Sequence, residues 1–398
     1  MSAGLGRNYL DYNASAPLRP EARAMVIEAL DAANPSSVHS EGRAARAFVE
    51  NARRALADLL ACNPGEVTFT SGASEATATA LTPHWLLGGN PVDHARLAVI
   101  ETDHAAMLAG GHFNPEAVTM LPVDSAGRVK IEVLREWIEA CSSAGPAILA
   151  FSLANSETGV LQDIEAIATE IEGHDIRLVV DAVQVVGRMP LSLASCRADA
   201  VIISSHKIGG PKGVGALVLR DTGTRPYPLI PGGGQEKGRR SGTEPVAAIA
   251  GFGAAARAAS FDLRNDNGAM AAERDAMEAH LRGALPDLVV LGAAAPRLPN
   301  TSAIAYPGLK AETAQIGLDL GGFAVSAGSA CSSGKIGRSH VVAALSRAGL
   351  NVDADHGAIR VSIGRETSKD ALSSFADAYI RLAMRARESR TETSGRAA

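Results

Sequence analysis

Apolar and polar positions alternate in blocks along this chain. Short apolar runs each end in a polar loop, and most loops lead into a stretch with helical spacing. The runs are Val67-Thr-Phe-Thr70, Leu97-Ala-Val-Ile100, Ala147-Ile-Leu-Ala-Phe-Ser-Leu153, Leu178-Val-Val180 and Val201-Ile-Ile203. Near-continuous apolar runs of this length predict strands buried on both faces. Strands alternating with helices join through right-handed crossovers, so the pattern predicts an α/β fold with a mainly parallel sheet. In such sheets ligands bind beyond the carboxyl ends of the strands. Each run delivers polar residues to that rim: Ser74, His104, Asn155, Asp181 with Gln184, and Lys207.

Helical spacing is also expected from about Pro20 to Leu30. A second helix should run through Ala45, Val49, Ala52, Leu56 and Leu60, with Ser40 as its cap and a stop at Asn63-Pro-Gly65. The pattern changes near residue 260, at the polar stretch Asp262–Asn267. Beyond it a helix (about Ala271–Leu285), strand-like runs near Val289 and at Ser302–Tyr306, a helix after Ser339 and a strand at Ala358–Ile363 suit a smaller α+β domain. The expected division is a large domain of residues 16–260 and a small one of residues 1–15 with 261–398. The tail from about Glu388 is expected to fray.

Composition narrows the classes. The chain has 398 residues, 46% hydrophobic and 20% charged, with a net charge of −5. That predicts no nucleic-acid partner and no attraction to an anionic membrane. No unbroken apolar stretch reaches the ~18 residues of a membrane span, and the first residues lack the core of a signal peptide. Cys62, Cys141, Cys196 and Cys331 show no CxxC pairing, which points away from a disulfide framework or zinc ribbon and toward a reducing cytoplasm.

Several residues are suited to chemistry. Lys207 just past a buried strand is either a shielded amine, able to act as nucleophile or base, or a solvated loop lysine. Asp181 at a strand end needs a cation if buried: a pyridinium nitrogen, an arginine, or else a helix cap. Ser71-Gly-Ala-Ser74 opens a helix and suits either a phosphate or ordinary capping. His104 is a proton carrier or a structural histidine. Arg360, alternating with Ile359 and Val361, either grips a carboxylate or lines the solvent face of an edge strand. Cys331 stands among small residues, Ser326–Gly334, and is either a reactive thiol, its thiolate favoured by Lys335 and Arg338 nearby, or an unreactive loop cysteine.

Taken together, Asp181-Ala-Val-Gln184, Ser204-Ser-His-Lys-Ile-Gly-Gly-Pro-Lys-Gly-Val-Gly-Ala216, the glycine-rich Gly232–Glu244 and the loop Ser326–Gly334 resemble the group I (NifS/IscS-type) cysteine desulfurases. The resemblance runs from Tyr9 to Gly364. It implies a pyridoxal 5'-phosphate enzyme of fold type I, with a seven-stranded sheet, working as a homodimer. It implies that Lys207 carries the cofactor and moves the Cα proton, Asp181 pairs with the ring nitrogen, and His104 stacks on the ring as acid/base. Gln184, with Asn155 close by, would contact the ring hydroxyl. Ala73, Ser74, Ser204 and His206 would hold the phosphate, and Thr243 would reach it from the partner subunit. Arg360, helped by Asn155, would bind the carboxylate of L-cysteine. Cys331 would take the sulfur as a persulfide and pass it to an acceptor protein, an iron–sulfur scaffold or carrier. The sequence departs from the family pattern at Ser74, where most relatives carry Thr, and at Gln235, where many carry His. A selenocysteine lyase or small-amino-acid aminotransferase of the same superfamily, and a cofactor-bound scaffold without turnover, are the competing readings. A nucleotide site at Gly232–Arg240 is disfavoured, because no Gly-Lys-Ser/Thr ending precedes a helix.

Overall fold

All five apolar runs enter one sheet. The computed structural model describes residues 7–142, 144–265, 268–328 and 338–396, with side chains to residue 388. The large sheet has seven strands: β1 (Val67–Thr70), β2 (Arg96–Ile100), β3 (Val118–Leu121), β4 (Ala147–Ser152), β5 (Ile176–Asp181), β6 (Ala200–Ser204) and β7 (Gly215–Leu219). Their order across the sheet is β1-β7-β6-β5-β4-β2-β3. Only β7 is antiparallel to its neighbours, β1 and β6, so β1 still points the same way as the parallel strands. In register, Ser152 faces Asp181 and Asp181 faces Ile202, which brings the carboxyl ends of β4, β5 and β6 level. That rim carries the site.

The strands are apolar throughout because both faces are covered. One layer contains α1 (Pro20–Glu28), α2 (Ser40–Leu60) and α4 (Val246–Asn265), packed on one another, and α3 (Ala73–Ala80) covers β7 and β6. By length and composition α4 could cross a membrane, but its apolar residues Ile249, Phe252, Ala255, Ala256 and Ala259 are buried in the core that α1 and α2 share. A second sheet, β8 (Val289–Val290), β9 (Thr301–Ala305), β10 (Ser326–Ala327) and β11 (Ile359–Ser362), is antiparallel in the order β8-β9-β11-β10. It packs with the helices Ala269–Ala284 and Lys369–Arg396 around a separate core of Leu10, Leu281, Leu318, Phe375 and Tyr379.

The structure revises four local expectations. His39, not Ser40, caps α2, its ring Nδ1 accepting the Gly42 N–H at 3.2 Å. Asp262–Asn265 is the last turn of α4 rather than a linker, and Asp262 is held by Arg19 at 2.6 Å. The tail does not fray at Glu388, since the final helix continues to Arg396. β11 lies between β9 and β10, so Arg360 cannot be on the solvent face of an edge strand; it is 1% exposed. An additional small sheet of His84–Leu87, Asn90–Asp93 and Arg225–Pro226 had no signal strong enough to predict it.

Candidate active site

Beyond the strand ends lies a cavity of about 530 Å³. Ala73, Ser74, His104, Asp181, Gln184, Ser204, His206 and Lys207 all line it. These residues come from the ends of β1, β2, β5 and β6, which is why separations of more than a hundred residues collapse into one chamber.

At one end the loop before α3 presents helix-start N–H groups, which no carbonyl of the same helix can reach. Gly72 caps α3, and Glu75 reaches back to accept the Ser71 N–H at 2.8 Å. β7 must pass close underneath. A Cβ on Gly215 would sit 2.7 Å from the Gly72 carbonyl carbon and 2.8 Å from Ile203 O, so only glycine fits. Ser204 and His206 add a hydroxyl and an imidazole to this end. Burial, with Lys207, Lys212 and Arg188 nearby, pushes the His206 pKa down to about 4, so the ring is a neutral donor at pH 7.

The other end holds the acid, the amine and the second imidazole. Burial raises the Asp181 carboxyl above the usual range, opposed by the Val183 N–H at 2.9 Å and by the charges of His104 and Lys207. A cation in the cavity would complete that opposition. His104 caps a short helix, its Nδ1 accepting the Ala106 N–H at 3.1 Å, which leaves the ring proton on Nε2. Lys207 Nζ donates to the carbonyls of Asn13 and Ala14. Gln184 Nε2 donates to Asn13 O at 3.1 Å and its Oε1 accepts from Arg188.

Three of the expected site residues are not brought to the walls. Asn155 is buried behind them: Oδ1 accepts the N–H groups of Glu157 and Thr158, both at 2.9 Å, and Nδ2 donates to Thr102 O at 2.7 Å. Arg360 is also behind, holding Asp11 Oδ1 at 2.7 Å, Ser326 Oγ at 3.0 Å and Ser156 O at 3.1 Å. Thr243 is exposed on the glycine-rich loop, outside this cavity. Cys331 lies outside the described residues. Of the other cysteines, Cys141 and Cys196 are buried and burial pushes the Cys62 thiol up to about 12, so none of the three suits a nucleophile.

Sequence reasoning missed several contributors. Ser15, Ser152 and Lys212 also line the cavity. Lys212 had a signal, the Gly-Pro-Lys-Gly run after Lys207. Asp103 had one too, an acid just past a buried strand. It is buried, and its two oxygens accept the N–H groups of Ile100 and Ser152, each at 2.8 Å, which ties the ends of β2 and β4 together. Burial moves its pKa to about 7 despite those bonds. Gln235 closes the glycine-rich loop, its Oε1 accepting the Gly242 N–H at 3.2 Å.

An amine, a carboxylate, an imidazole and a phosphate cradle around one cavity fit pyridoxal phosphate in the chemistry of their donors. Residues 8–375 match the family model Aminotransferase class-V. The chain is 39% identical to a cysteine desulfurase of Cereibacter sphaeroides over 91% of its length and 92% of that protein. It is 35% identical to the cysteine desulfurase NifS of Azotobacter vinelandii, over 92% and 89% of the two chains. Among solved structures it resembles a NifS-like protein from Rickettsia africae with TM-score 0.83 and 29% identity, covering 94% of this chain and 99% of that one.

Proposed function

The chain belongs to the aminotransferase class-V family and to the cysteine desulfurases within it, and from that premise we propose how its residues divide the work. It is a pyridoxal-phosphate enzyme. When bound, the cofactor supplies an electron sink that makes the substrate Cα–H acidic and the thiol sulfur open to attack. The observation that carries the reading is the single cavity lined by Lys207, Asp181, His104 and the cradle around Ser74.

Lys207 would hold the cofactor and would move the proton at the substrate Cα. Asp181 would pair with the ring nitrogen, the cation its buried position calls for. His104 would lie against the ring and offer its Nε2 proton. Gln184 faces the ring hydroxyl. Ala73, Ser74, Ser204 and His206 hold the phosphate, with Thr243 supplied by a second copy, in keeping with its exposure outside its own cavity. Arg360 takes the carboxylate of L-cysteine, and Asn155 orients the loop beneath it. The Cys331 thiolate attacks the substrate sulfur, the carbon–sulfur bond breaks, and Cβ gains a proton. L-cysteine thereby leaves as L-alanine, with the sulfur oxidised to a persulfide on Cys331. An acceptor protein for iron–sulfur assembly then takes that sulfur.

The working unit is a homodimer in the cytoplasm, built from lobes of residues 16–260 and of residues 1–15 with 261–398. The test is to incubate the purified holoenzyme with L-cysteine, quantify alanine and map the persulfide by mass spectrometry. A persulfide on Cys331 and no alanine from Cys331→Ala are expected. Alanine formed by Cys331→Ala at the normal rate would sink the assignment.

A further inference from the structure

Glu157 is a buried carboxylate that the reaction outlined above does not use. It is 6% exposed and, among the described residues, has no salt bridge. Burial raises its pKa, opposed by Ser339 and by the charges of His340 and Arg360. Such a group is costly to bury unless it is hydrogen-bonded and its charge is compensated.

It lies against both ends of one segment and is hydrogen-bonded to the second. A Cβ on Gly328 would lie 3.0 Å from Glu157 Oε2 and 3.4 Å from Ser339 Cβ, at a φ of +37°. Gly328 and Ser339 therefore stand side by side on the carboxylate, and the segment containing Cys331 begins at one and ends at the other. Ser339 Oγ donates to Glu157 Oε2 at 2.6 Å and accepts the Val342 N–H at 3.1 Å, capping the helix His340–Arg347. One residue on, His340 Nε2 meets Asp103 O at 3.0 Å.

The far side of this anchor leads to the cavity. The Glu157 N–H is fixed by Asn155 Oδ1, and Asn155 Nδ2 is fixed on Thr102 O. Thr102, Asp103 and His104 are consecutive, and His104 lines the cavity. Two hydrogen-bonded routes, through Glu157–Asn155 and through His340, thus join the root of the Cys331 segment to the strand end that aims His104. Capping alone needs neither route, because Ser339 caps its helix through its own hydroxyl.

We propose that Glu157 and His340 are positioning residues that fix where the Cys331 segment is rooted relative to the cofactor site, and so set the rate at which its thiol reaches the substrate sulfur. This rests on the reading of Cys331 as the sulfur acceptor. The experiment compares Glu157→Ala, Glu157→Gln and His340→Ala holoenzymes in single-turnover alanine formation, with Cys331→Ala in parallel. Cofactor absorbance and the KM for L-cysteine should stay within about twofold. The rate should fall about tenfold in Glu157→Ala and about threefold in His340→Ala, as a small misplacement of a reacting group dictates. Glu157→Gln should recover to within about twofold, because its amide carbonyl accepts the same Ser339 proton.

Unchanged rates in both alanine variants would overturn the proposal, as would a loss confined to KM or no recovery by glutamine. His340 is exposed, so His340→Ala decides alone if Glu157→Ala does not fold. Alanine formation by Cys331→Ala would defeat the nucleophile assignment itself. An inactive Cys331→Ala beside normal Glu157 and His340 variants would defeat only the anchor.

Discussion

Replacing Glu236 with glutamine tests how the glycine-rich loop is held against the sheet. The Glu236 carboxylate meets Arg53 through two hydrogen bonds of 2.8 Å, and Oε2 also accepts the Phe69 N–H of β1 at 2.9 Å. The side chains are 2% and 8% exposed. Arg53 further donates to Val67 O at 2.7 Å and lies 4.9 Å from the Phe69 ring centroid. Glu236 and Lys237 sit at φ of 49° and 58°, a conformation that costs each about 1 kcal/mol and must be held by its surroundings. Breaking one side of a buried ion pair costs about 3–5 kcal/mol because the other charge is stranded. Glutamine keeps the volume and one acceptor, so the lower end applies, about 3 kcal/mol. At roughly 2 °C per kcal/mol for a large domain, the thermal midpoint should drop by about 6 °C. Adding Arg53→Met removes the guanidinium, left with only the half-exposed Glu50 at 3.3 Å as a charged partner, and should restore at least about 1 kcal/mol. Calorimetry and urea unfolding of the single and double variants measure both effects. A Glu236→Gln protein within about 0.5 kcal/mol of the parent, or a double variant less stable than the single one, would refute the reasoning.

Gly215→Ala should damage the phosphate cradle, because the new Cβ meets backbone atoms of Gly72 and Ile203 that cannot step aside. We expect cofactor affinity, read by absorbance titration, to fall at least about tenfold with about 2 kcal/mol of stability, as overpacking predicts; normal affinity would count against the cradle. His206 gives a pH signature in the cofactor-free protein. Its folded pKa, about 4, lies below the ordinary histidine value, so the unfolded chain binds more protons between about pH 6.5 and 4. Stability from this group is therefore complete above that window and is lost as pH falls through it. His206→Gln should flatten the loss seen in melts at pH 5 against pH 7, and an unchanged slope would show that the ring is not held neutral.

What was legible in the sequence was whatever strand ends alone determine. Asp181 and Lys207 follow continuous apolar runs, so their places at the rim follow from period and direction, and the cavity contains both. His104 was visible as a residue but not as a cap: the Nδ1 bond to Ala106 depends on a turn too short to leave a periodic pattern. Asn155 and Arg360 are the opposite case. Their residue types suit a ligand, yet burial behind the wall depends on packing between distant parts of the chain. Arg360 was read against its neighbours in sequence, whereas its surroundings are set by β9 and β10 on either side. Gln235 and Glu236 had no readable role because their partners, Gly242 and Arg53, are reached only when the loop folds back.

The N-terminal segment shows what such long-range contacts do for the site. Lys207 donates to the carbonyls of Asn13 and Ala14, and Asn13 Nδ2 donates to Ser156 O at 3.2 Å and Thr301 Oγ1 at 2.9 Å. Two residues earlier, Asp11 holds the Arg360 guanidinium at 2.7 Å, and Ser326 Oγ donates to Asp11 at 2.9 Å. The amine and the arginine are therefore gripped by the same few residues of backbone. A carboxylate brought to Arg360 would have to share or displace Asp11, whose side chain is 17% exposed. The backbone between Asp11 and the carbonyls that fix Lys207 is a turn, closed by the Ala14 and Ser15 N–H groups on Asp11 O at 3.1 and 3.3 Å. The amine and the arginine are in this way tied to one stretch whose own sequence, Asp11-Tyr-Asn-Ala-Ser-Ala16, carries no periodic signal at all.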